Sequence, residues 1–339
     1  MKRTTISDIA RAAGVSETSV SLVLTGRPNR ISFAIQEKIK ETAKALSYVP
    51  NSFARGLATK KSNTIGLIVP DIENGYFASL SKAISFEAEK EGYIVLLLNS
   101  NDSHDLSIKQ INTLIERNVD GLILVVSNES YHQKNMKELK SILSSLSIPY
   151  VLSDRDFPDF KANKVYYDNI EGGNLATKLL LQAKHKKIAC ITGPSDTFSS
   201  IQRLVGYKKA LEEFDIPFNA SLVEEGDYRL QSGFASAVKL LKKDFDSLFC
   251  FNDMMAFGAI LALKNHDISV PEDVSVVGYD DSIMSSLSGS ELATINQDPS
   301  RLAKETVALL LDALSNPSQT EEEIKLKPSL VERKSVKKL

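Results

Sequence analysis

The first 48 residues carry apolar side chains at helical spacing in three short runs, separated by glycine and small polar residues. Thr5 followed by Asp8 has the spacing of a capping box, and Gly14 ends the helix that begins there. Ser16 can cap a second helix, which ends at Gly26. The inward faces of these two helices are predicted to carry Ile6, Ile9, Ala10, Ala13, Val20, Val23 and Leu24.

A third apolar run follows Ser32, with its apolar residues one to two helical turns apart. These residues are Ile35, Ile39, Ala43 and Leu46. Two helices joined through a glycine-containing turn, with a small polar residue opening the second, form the helix-turn-helix arrangement that places its second helix in the major groove of DNA. A purely structural three-helix bundle has the same periodicity, so periodicity alone leaves both interpretations open.

Beyond residue 62 the pattern changes to short apolar runs that alternate with amphipathic stretches, in two successive series. Strands are predicted at 64–69, 93–98, 121–126 and 149–153 in the first series, and near 187–192, 222–225, 247–251 and 274–278 in the second. Helices are predicted to start near Tyr76, Asp105 and Lys134, and then near Glu171, Ser199, Leu230 and Asn252. Such alternation is typical of parallel sheets covered by helices, so we expect two similar α/β lobes with a cleft between them.

The composition is that of an ordinary globular protein, and the charge is unevenly distributed. Hydrophobic residues make up 42% and charged residues 25% of the 339 residues, which excludes a disordered or collagen-like chain and fits two or three compact units. Residues 1–61 hold 11 Lys and Arg against 4 Asp and Glu, a net +7, and the remainder holds 30 against 39, a net −9. A basic head on an acidic body is typical of an appended nucleic-acid-binding module, although a solubility tail or a membrane-surface patch would also be basic.

The sequence favours an intracellular compartment. The apolar run at 94–98 is far shorter than the roughly 20 residues needed to span a bilayer, and the first five residues do not begin an apolar secretory signal. Cys190 and Cys250 both lie in apolar, strand-like runs, which fits two buried thiols in a reducing environment better than a disulfide. We therefore expect a cytoplasmic protein that does not contact membranes.

Motifs for catalysis are missing from the sequence. There is no phosphate-binding Gly-x-x-x-x-Gly-Lys loop, no Gly-x-Gly-x-x-Gly and no His-Glu-x-x-His. The histidines are scattered through polar segments, which fits solvated surface positions, and neither cysteine has metal-ligand spacing. We expect no enzyme activity, no catalytic residues, no cofactor and no metal ion.

Polar side chains follow several predicted strands, at the edge where open parallel sheets bind ligands. Asp154, Asn252 and Asp280 come just after strands, and Arg203 lies at the start of a helix after a Thr-Gly-Pro turn. Carboxylates, an amide and a guanidinium suit vicinal hydroxyls because each can make two hydrogen bonds in planar geometry. Each of these residues alone could instead be a helix cap or an ion-pair partner.

Aromatic residues could complete such a site. Tyr228 could cover the apolar face of a sugar ring, and Tyr76 and Phe77 could line the wall of the other lobe. Two aromatic residues at a helix start are also common in plain cores, so this assignment depends on the fold.

Several stretches, in order along nearly the whole chain, resemble the lactose/galactose-repressor family of DNA-binding regulators. They are TISDIARAAGVS (5–16), TSVS (18–21), YVPNSFARGL (48–57), IGLIVP (65–70), VDG (119–121), DN (168–169), GG (172–173), ND (252–253), MA (255–256), VVGYDD (276–281), QDP (297–299) and PSLVER (328–333). The resemblance implies an α/β protein with an N-terminal helix-turn-helix bundle and a two-lobed body. That body is like periplasmic binding proteins and has doubly wound parallel sheets.

The resemblance also implies the domain organisation. We expect a helix-turn-helix DNA-binding domain at 1–49, a hinge helix and linker at 50–62, and an effector-binding and dimerisation domain at 63–339. Within that domain we expect lobe one at about 63–160 and 293–320, and lobe two at about 163–290 and 322–333. A hinge helix of at most about two turns is too short to persist alone in water, so we expect it to order on DNA.

Residue by residue, the resemblance implies which side chains contact DNA. Glu17, Thr18 and Leu22 match the family's principal major-groove positions, and Leu22 departs from the basic or imidazole residue that is more usual there. Leu57 matches the hinge leucine that family members insert between central base pairs. Further DNA contacts are expected from Thr5, Ser16, Ser21, Asn29, Tyr48, Asn51, Ala54 and Arg55.

The cleft residues acquire roles in the same way. Asp154, Arg203, Asn252 and Asp280 match positions that hold effector hydroxyls in sugar-responsive members, and Tyr228 matches an aromatic residue that stacks on the sugar. The resemblance therefore implies a repressor of carbohydrate-utilisation genes that responds to a sugar or sugar phosphate in the interlobe cleft. It further implies a homodimer, bound to a near-palindromic double-stranded operator in the bacterial nucleoid.

Other functions stay open at this point. Residues 54–58 (ARGLA) also resemble global catabolite regulators of the family, which use a phosphocarrier-protein partner. A sugar-binding protein without DNA function, such as a transport protein, would share the two-lobed body, although the basic helical head disfavours it. A sugar-modifying enzyme would be revealed by turnover of whichever sugar binds.

Overall fold

The computed structural model describes residues 4–26, 28–48, 61–157, 159–287, 291–316 and 320–339. The chain divides into two compact units, Met1–Asn63 and Thr64–Leu339, which we term the head and the body. Within the described ranges, no helix has both the length and the apolar character required to cross a membrane.

The head is a bundle of three helices. They span Ile6–Ala13 (α1), Glu17–Leu24 (α2) and Phe33–Ala45 (α3). Both predicted caps are present, because the backbone N–H of Asp8 donates to Thr5 Oγ1 (3.3 Å) and that of Ser19 donates to Ser16 Oγ (3.1 Å). The core of the bundle consists of Ile9, Ala10, Ala13, Val20, Val23, Ile39 and Ala43. The predicted helix-turn-helix is therefore confirmed.

Two side chains expected on the inward face of α3 are exposed instead. Ile35 is 39% and Leu46 is 38% exposed. The α3 helix has 13 residues and its two partners have 8 each, so at about 1.5 Å per residue it is roughly 7 Å longer than they are. Ile39 and Ala43, in the middle of α3, belong to the core of the bundle, whereas Ile35 in its first turn and Leu46 at its C-cap lie outside that cluster.

The first lobe of the body is a parallel sheet covered by helices on both faces. Its strands are Thr64–Val69 (β1), Ile94–Asn99 (β2), Gly121–Leu124 (β3), Tyr150–Ser153 (β4), Asn163–Tyr167 (β5) and Glu323–Leu326 (β11), in the order β11-β5-β4-β3-β1-β2. Its helices are Gly75–Lys90 (α4), His104–Glu116 (α5), Gln133–Ser145 (α6) and Pro299–Ser315 (α11). Leu67 and Ile68 of β1 belong to different apolar clusters, as expected where alternate side chains point to opposite faces.

The second lobe repeats this architecture on a smaller scale. Its parallel strands are Ile188–Thr192 (β6), Val223–Glu225 (β7), Ser247–Cys250 (β8) and Ser275–Val277 (β9), in the order β7-β6-β8-β9. Its helices are Asn169–Gln182 (α7), Phe198–Glu213 (α8), Leu230–Leu240 (α9) and Asp253–Lys264 (α10). A short antiparallel pair is formed by Thr294–Asn296 (β10) and Ser329–Val331 (β12). The predicted strands and helix starts agree with these bounds to within two residues.

The boundary between the lobes differs from the one expected from the sequence. Segments starting at 163 and 322 were assigned to the second lobe, but β5 pairs with β4, and β11 pairs with β5, in the sheet of the first. Polar residues such as Lys164 and Lys325 interrupt both strands, so neither has the apolar run that identifies a buried strand. The chain consequently crosses between the lobes at 167–169, 296–299 and 326–329.

The predicted burial of the cysteines is confirmed, whereas the predicted exposure of the histidines is wrong for two of them. Cys190 and Cys250 are buried free thiols, as predicted, and burial raises the pKa of both. His104 and His185 are buried rather than solvated, because the lobes supply partners for their rings, such as Ser130 Oγ at 3.0 Å from His104 Nδ1. Among the described residues no group of three His, Cys, Asp or Glu is arranged to bind a metal.

Candidate functional site

The second helix of the head presents a polar surface at its amino-terminal end. Glu17 and Thr18 are exposed in its first turn, and Ser21 and Leu22 are half-buried in the next. Ser16 is its N-cap, so its hydroxyl already accepts a backbone hydrogen bond. Residues at the start of the second helix are the ones that reach base edges in helix-turn-helix proteins. The α2 helix therefore gathers five of the predicted DNA contacts on one short element.

Three other predicted DNA contacts also support the head itself. The Thr5 hydroxyl donates to Asp8 Oδ2 (2.7 Å), and Asn29 Oδ1 accepts from the backbone N–H of Ile31 (3.1 Å). Tyr48 is half-buried against the core of the bundle. These side chains stabilise the fold whether or not they meet DNA. The remaining predicted contacts, Asn51, Ala54, Arg55 and Leu57, lie with the expected hinge helix outside the residues that the structure describes.

All seven residues predicted to bind the effector line one small cavity between the two lobes of the body. They are Tyr76, Phe77 and Asp154 from the first lobe and Arg203, Tyr228, Asn252 and Asp280 from the second. Four further residues line the same cavity, namely Asn74, Arg155, Ser199 and Gln297. The sequence held a signal for two of these four, because Arg155 follows Asp154 at the same strand end and Gln297 opens the QDP motif. Asn74 and Ser199 carried no comparable signal.

Topology explains why these side chains converge. Asp154 follows β4, Asn252 follows β8 as the N-cap of α10, and Asp280 follows β9, so all three lie at carboxyl ends of parallel strands. Asp154, Tyr228 and Asp280 have φ angles of 68°, 69° and 114°, in the left-handed region. Asp tolerates this region better than most residues do, whereas it is costly for a bulky residue such as Tyr228.

On the first-lobe side, two hydrogen-bonded groups form the cavity wall. Tyr76 Oη donates to Asp154 Oδ1 (2.8 Å). Arg155 Nη1 lies 2.9 Å from Asp102 Oδ1 and also donates to a backbone carbonyl. The Arg155 guanidinium lies 5.2 Å from the ring centre of Phe77, within the range of a cation–π contact.

On the second-lobe side, Arg203 is the central group. Its Nε donates to Asn169 Oδ1 (2.8 Å), its Nη1 donates to the carbonyl oxygen of Phe251, and its guanidinium lies 3.6 Å from the ring centre of Tyr279. The α7 and α8 helices approach so closely that a Cβ on Gly173 would lie 2.3 Å from the Arg203 carbonyl oxygen. This close packing fixes the backbone from which Arg203 projects.

Two more polar groups complete this wall. Asn252 Nδ2 donates to the backbone oxygen of Tyr228 (2.9 Å), which ties the aromatic residue to the start of α10. Gln297 Nε2 donates to Asp280 Oδ1 (3.2 Å) from the crossover that joins the lobes. The site therefore offers carboxylate oxygens, amides and a guanidinium to anything that enters from either lobe.

Burial in the cavity disfavours the ionised form of its two carboxyl groups. Burial raises the pKa of Asp154 and Asp280, although Arg155 opposes the rise at Asp154 and Arg203 opposes it at Asp280. A group in this condition gains from any ligand that donates hydrogen bonds to it. Hydrogen-bond donors, among them hydroxyl groups, are therefore suited to these two carboxyls.

The cavity is nearly closed. Its volume is about 20 Å³, enough for about one water molecule, whereas ligand sites of drug-sized molecules occupy roughly 300–1,000 Å³. A sugar therefore fits only after the lobes or the lining side chains move.

A larger cavity lies at the other end of the second-lobe sheet. It measures about 580 Å³ and is bordered by Lys186, Lys187 and Lys243, which precede the strands of that sheet. Lys187 forms an ion pair with Asp244 at the surface. Because its charged groups are solvated, this cavity lacks the convergent buried polar groups of the interlobe site.

Two family profiles match the chain. One, described as bacterial regulatory proteins of the lacI family, matches residues 5–51, and one described as a periplasmic binding protein-like domain matches residues 177–336. The HTH-type transcriptional repressor PurR of Vibrio atlanticus is 32% identical over 338 residues, which cover 99% of each chain.

Two solved structures are similar over nearly the whole chain. The lac repressor dimer bound to operator and the anti-inducer ONPF has a TM-score of 0.88 at 27% identity and covers 99% of this chain and 100% of its own. The transcriptional regulator CelR in complex with cellobiose has a TM-score of 0.74 at 30% identity and covers 98% of this chain and 100% of its own.

Proposed function

The chain belongs to the lacI family and is a DNA-binding transcriptional regulator rather than an enzyme, and we propose that it represses carbohydrate-utilisation genes under the control of an uncharged sugar. The observation that carries this proposal is the convergence of Asp154, Arg203, Asn252 and Asp280, with the ring of Tyr228, in one cavity between the lobes. Cellobiose bound to CelR, a 30% identical regulator of the same fold, supports a sugar as the ligand class.

The charge balance of the cavity favours an uncharged sugar over a sugar phosphate. The carboxyls of Asp154 and Asp280 line the cavity together with the guanidinium groups of Arg155 and Arg203, and Asp102, which is not part of the lining, already pairs with Arg155 at 2.9 Å. A phosphate would add negative charge to a buried site where the pKa of Asp154 and that of Asp280 are already raised by burial. Sugar hydroxyls instead donate to both carboxylates.

The closed cavity also supports a mechanism of control. A sugar that needs open lobes has different affinities for the closed and open states, and that difference sets the largest effect it can have on operator affinity. We assign the hinge to 50–57, with Leu57 as the minor-groove wedge, between a DNA-binding domain at 1–49 and the body. Release of DNA by sugar is the direction that we expect for a repressor of carbohydrate genes.

A thermal-shift screen tests the ligand class. The panel comprises D-ribose, D-glucose, D-galactose, lactose and cellobiose, the 6-phosphates of the hexoses, and free purine bases as flat ligands without vicinal hydroxyls. At a hundredfold excess over its Kd, the true ligand adds about 2.7 kcal/mol of stability, which raises the Tm by several degrees. A shift with phosphates or purines alone would contradict the proposal.

We expect Leu22→Arg to change the DNA sequence that the head prefers. Leucine cannot make the bidentate contact to guanine that arginine makes, but it can contact a thymine methyl group. Selection from a random DNA pool should therefore show guanine gained at one position of each half-site for the variant. Glu37→Gln on α3, where Glu37 pairs with Lys40, changes the charge by the same +1 away from α2 and serves as the control. An unchanged preference in Leu22→Arg would show that α2 does not read bases as proposed.

We also propose that the regulator binds a near-palindromic operator as a homodimer in the nucleoid. One short recognition helix reads only a few base pairs, so a twofold pair of heads is the geometry that gives useful specificity. The resemblance to the family implies a dimer seam formed by helices near 75–90 and segments near 250–285, and exposed apolar residues of the body support it. Phe86 on α4 is 59% exposed, and Ile283 on the turn before residue 287 is 77% exposed.

Ile283→Asp is expected to break this dimer. A charge buried at both copies of a twofold seam costs about 3 kcal/mol or more, which weakens association about hundredfold or more. Sedimentation equilibrium of the full chain measures the effect, and Phe214→Asp, at an exposed apolar position at the end of α8, is the matched control. A wild-type monomer at micromolar concentration that retains full operator affinity would contradict the proposal.

A further inference from the structure

We infer that Asp253 is a positioning residue that couples the effector cleft to the dimer face. This inference rests on the proposed function, because it takes the cleft as the sugar site and residues 282–287, which we term the dimer turn, as part of the seam. Asp253 itself touches neither the cavity nor the surface, since it is 1% exposed and is absent from the cavity lining.

The carboxylate of Asp253 gathers hydrogen bonds from two separate segments. Oδ2 accepts from the backbone N–H of Ser282 (2.8 Å) and from Ser285 Oγ (2.5 Å), both in the dimer turn. Oδ1 accepts from Thr294 Oγ1 (2.7 Å) in β10. Three donors on one buried carboxylate make it the common anchor of the turn and of the strand beside it.

Asp253 is joined to the effector side through the backbone. It directly follows Asn252, and its own N–H donates to the carbonyl oxygen of Tyr279 (2.7 Å), the residue before Asp280. The backbone N–H of Asp281 donates to Thr294 Oγ1 (3.3 Å), so the same hydroxyl joins this segment to Asp253. Asn252 is joined to Asp253 by one peptide bond, and Asp280 is joined to it by one peptide bond and the hydrogen bond from Asp253 to Tyr279. A displacement of either residue on ligand entry therefore reaches Asp253.

The backbone at the end of β9 is in close contact with Asp253. A Cβ on Gly278 would lie 2.3 Å from Asp253 Oδ1, so the backbone at the end of β9 packs directly against the carboxylate. Contacts this close behave as rigid links rather than as compressible ones. The carboxylate and the strand end must therefore move together.

Asp253 connects the dimer turn to the start of α10 through hydrogen bonds. Ser285 is the buried residue of the turn, whereas Ile283, Met284 and Leu287 are 77%, 51% and 53% exposed. Its apolar side chains therefore contribute little to holding it on the body. The turn is also held by backbone hydrogen bonds from the N–H of Leu292 to the Ser285 carbonyl oxygen (2.9 Å) and from that of Glu291 to the Leu287 carbonyl oxygen (3.3 Å). The Asp253 bonds to Ser282 and Ser285 add the connection to the start of α10 and so help to position the apolar side chains of the turn for a second copy of the chain.

Asp253→Asn and Ser285→Ala test this inference in the full-length protein. Asparagine keeps the shape but turns one acceptor oxygen into a donor, so at least one of the three donors loses its partner. We expect the dimer Kd to rise at least tenfold in Asp253→Asn and several-fold in Ser285→Ala. Ser286→Ala is the matched control, because Ser286 Oγ bonds the Ile283 carbonyl and not Asp253, and its Kd should stay within twofold of wild type.

A second readout separates coupling from a merely structural role. With whichever of D-ribose, D-glucose, D-galactose, lactose and cellobiose raises the wild-type Tm, the wild-type dimer Kd should change about fivefold or more on saturation, as linkage requires. In Asp253→Asn that sugar dependence should vanish while the sugar Kd stays within threefold of wild type.

The outcomes are distinguishable. A wild-type dimer Kd that ignores the bound sugar, or an Asp253→Asn variant that keeps the wild-type sugar dependence, overturns the inference and leaves the sugar site intact. Equal losses of sugar affinity and dimer affinity overturn it as well, because they indicate only a damaged fold. A wild-type protein that binds no sugar of the panel, or forms no dimer, would instead refute the proposed function.

Discussion

Asp280→Asn is expected to lower the affinity for the sugar effector about ten- to hundredfold while operator affinity stays at the wild-type value. Asparagine tolerates the φ of 114° and can keep the hydrogen bond from Gln297 Nε2, so the cavity wall should survive. Its amide nitrogen, however, would face a sugar hydroxyl that needs an acceptor, at a cost of about 1–3 kcal/mol. Calorimetry with the sugar found by screening measures the loss.

Operator binding by this variant provides the control. The dependence of operator affinity on salt counts phosphate contacts, which belong to the head, so its slope should equal that of the wild type. The variant would then behave as a repressor that sugar cannot release. A normal response to the sugar would show that Asp280 does not bind the ligand, and a folded variant that fails to bind operator would place Asp280 in the coupling between domains.

The same substitution should stabilise the sugar-free protein at neutral pH. Burial raises the pKa of Asp280 well above its ordinary value of about 3.9, so the folded state binds a proton more tightly than the unfolded state does. The stability that this proton provides is complete below about pH 4 and is lost as the pH rises through the folded-state pKa. Asp280→Asn has no such proton to lose. Its Tm should exceed that of the wild type at pH 7–8 and approach it near pH 4.

Thermal melts between pH 4 and 8 check this expectation. Asp273→Asn offers a control with the same chemistry outside the cleft, because Asp273 Oδ2 accepts only a local backbone hydrogen bond from Ser269. A variant that is less stable than wild type at every pH would show that the Asp280 carboxylate contributes to the fold and is not held at a cost for the ligand.

Arg203→Ala is expected to lose both the sugar response and much of the stability of the body. The guanidinium satisfies Asn169 Oδ1 and the Phe251 carbonyl and lies 3.6 Å from the ring centre of Tyr279. Its removal takes a donor from the buried Phe251 carbonyl, leaves Asn169 Oδ1 only the longer bond from Tyr279 Oη (3.4 Å), and removes a positive charge that faces Asp280. The expected cost is about 3–5 kcal/mol in the free energy of unfolding. Urea denaturation of the full chain measures it.

Arg203→Lys and Arg301→Ala serve as a conservative variant and as a surface control for Arg203→Ala. Lysine keeps the charge but not the planar fork, so we expect partial stability and a sugar affinity that stays lowered about tenfold or more. Arg301 is exposed on α11, and its loss should change the free energy of unfolding by less than about 0.5 kcal/mol. If Arg203→Ala were as stable as Arg301→Ala, the buried network around Arg203 would not be the stabilising feature described above. Asp280→Asn and Arg203→Ala thus predict the same loss of response with opposite changes in stability.

Local patterns in the sequence account for the individual helices and strands of this protein. The Thr5 and Ser16 caps, the apolar spacing through Ile39 and Ala43, and the alternation of strands and helices in the body all depend on neighbours a few residues apart. The cleft residues Asp154, Asn252 and Asp280 could be predicted for a related reason, since each directly follows a strand and parallel strands end at a common edge. The ordered motifs along the chain identified the family in the same way.

The tertiary structure was needed to show which distant segments pair in one sheet, which line the same cavity wall and which charged residues form ion pairs. β5 and β11 lack an apolar run, so their place in the first lobe follows from pairing with neighbours that the chain reaches only after a crossover. Ile35 and Leu46 are exposed because the core of the head forms around Ile39 and Ala43 in the middle of α3. Arg155 pairs with Asp102, which lies 53 residues away along the chain, and Asp253 accepts hydrogen bonds from a later turn and strand. Neither pairing follows from the local spacing of residues. Side-chain spacing encodes helices and strands locally, whereas burial and charge pairing depend on long-range contacts that spacing does not record.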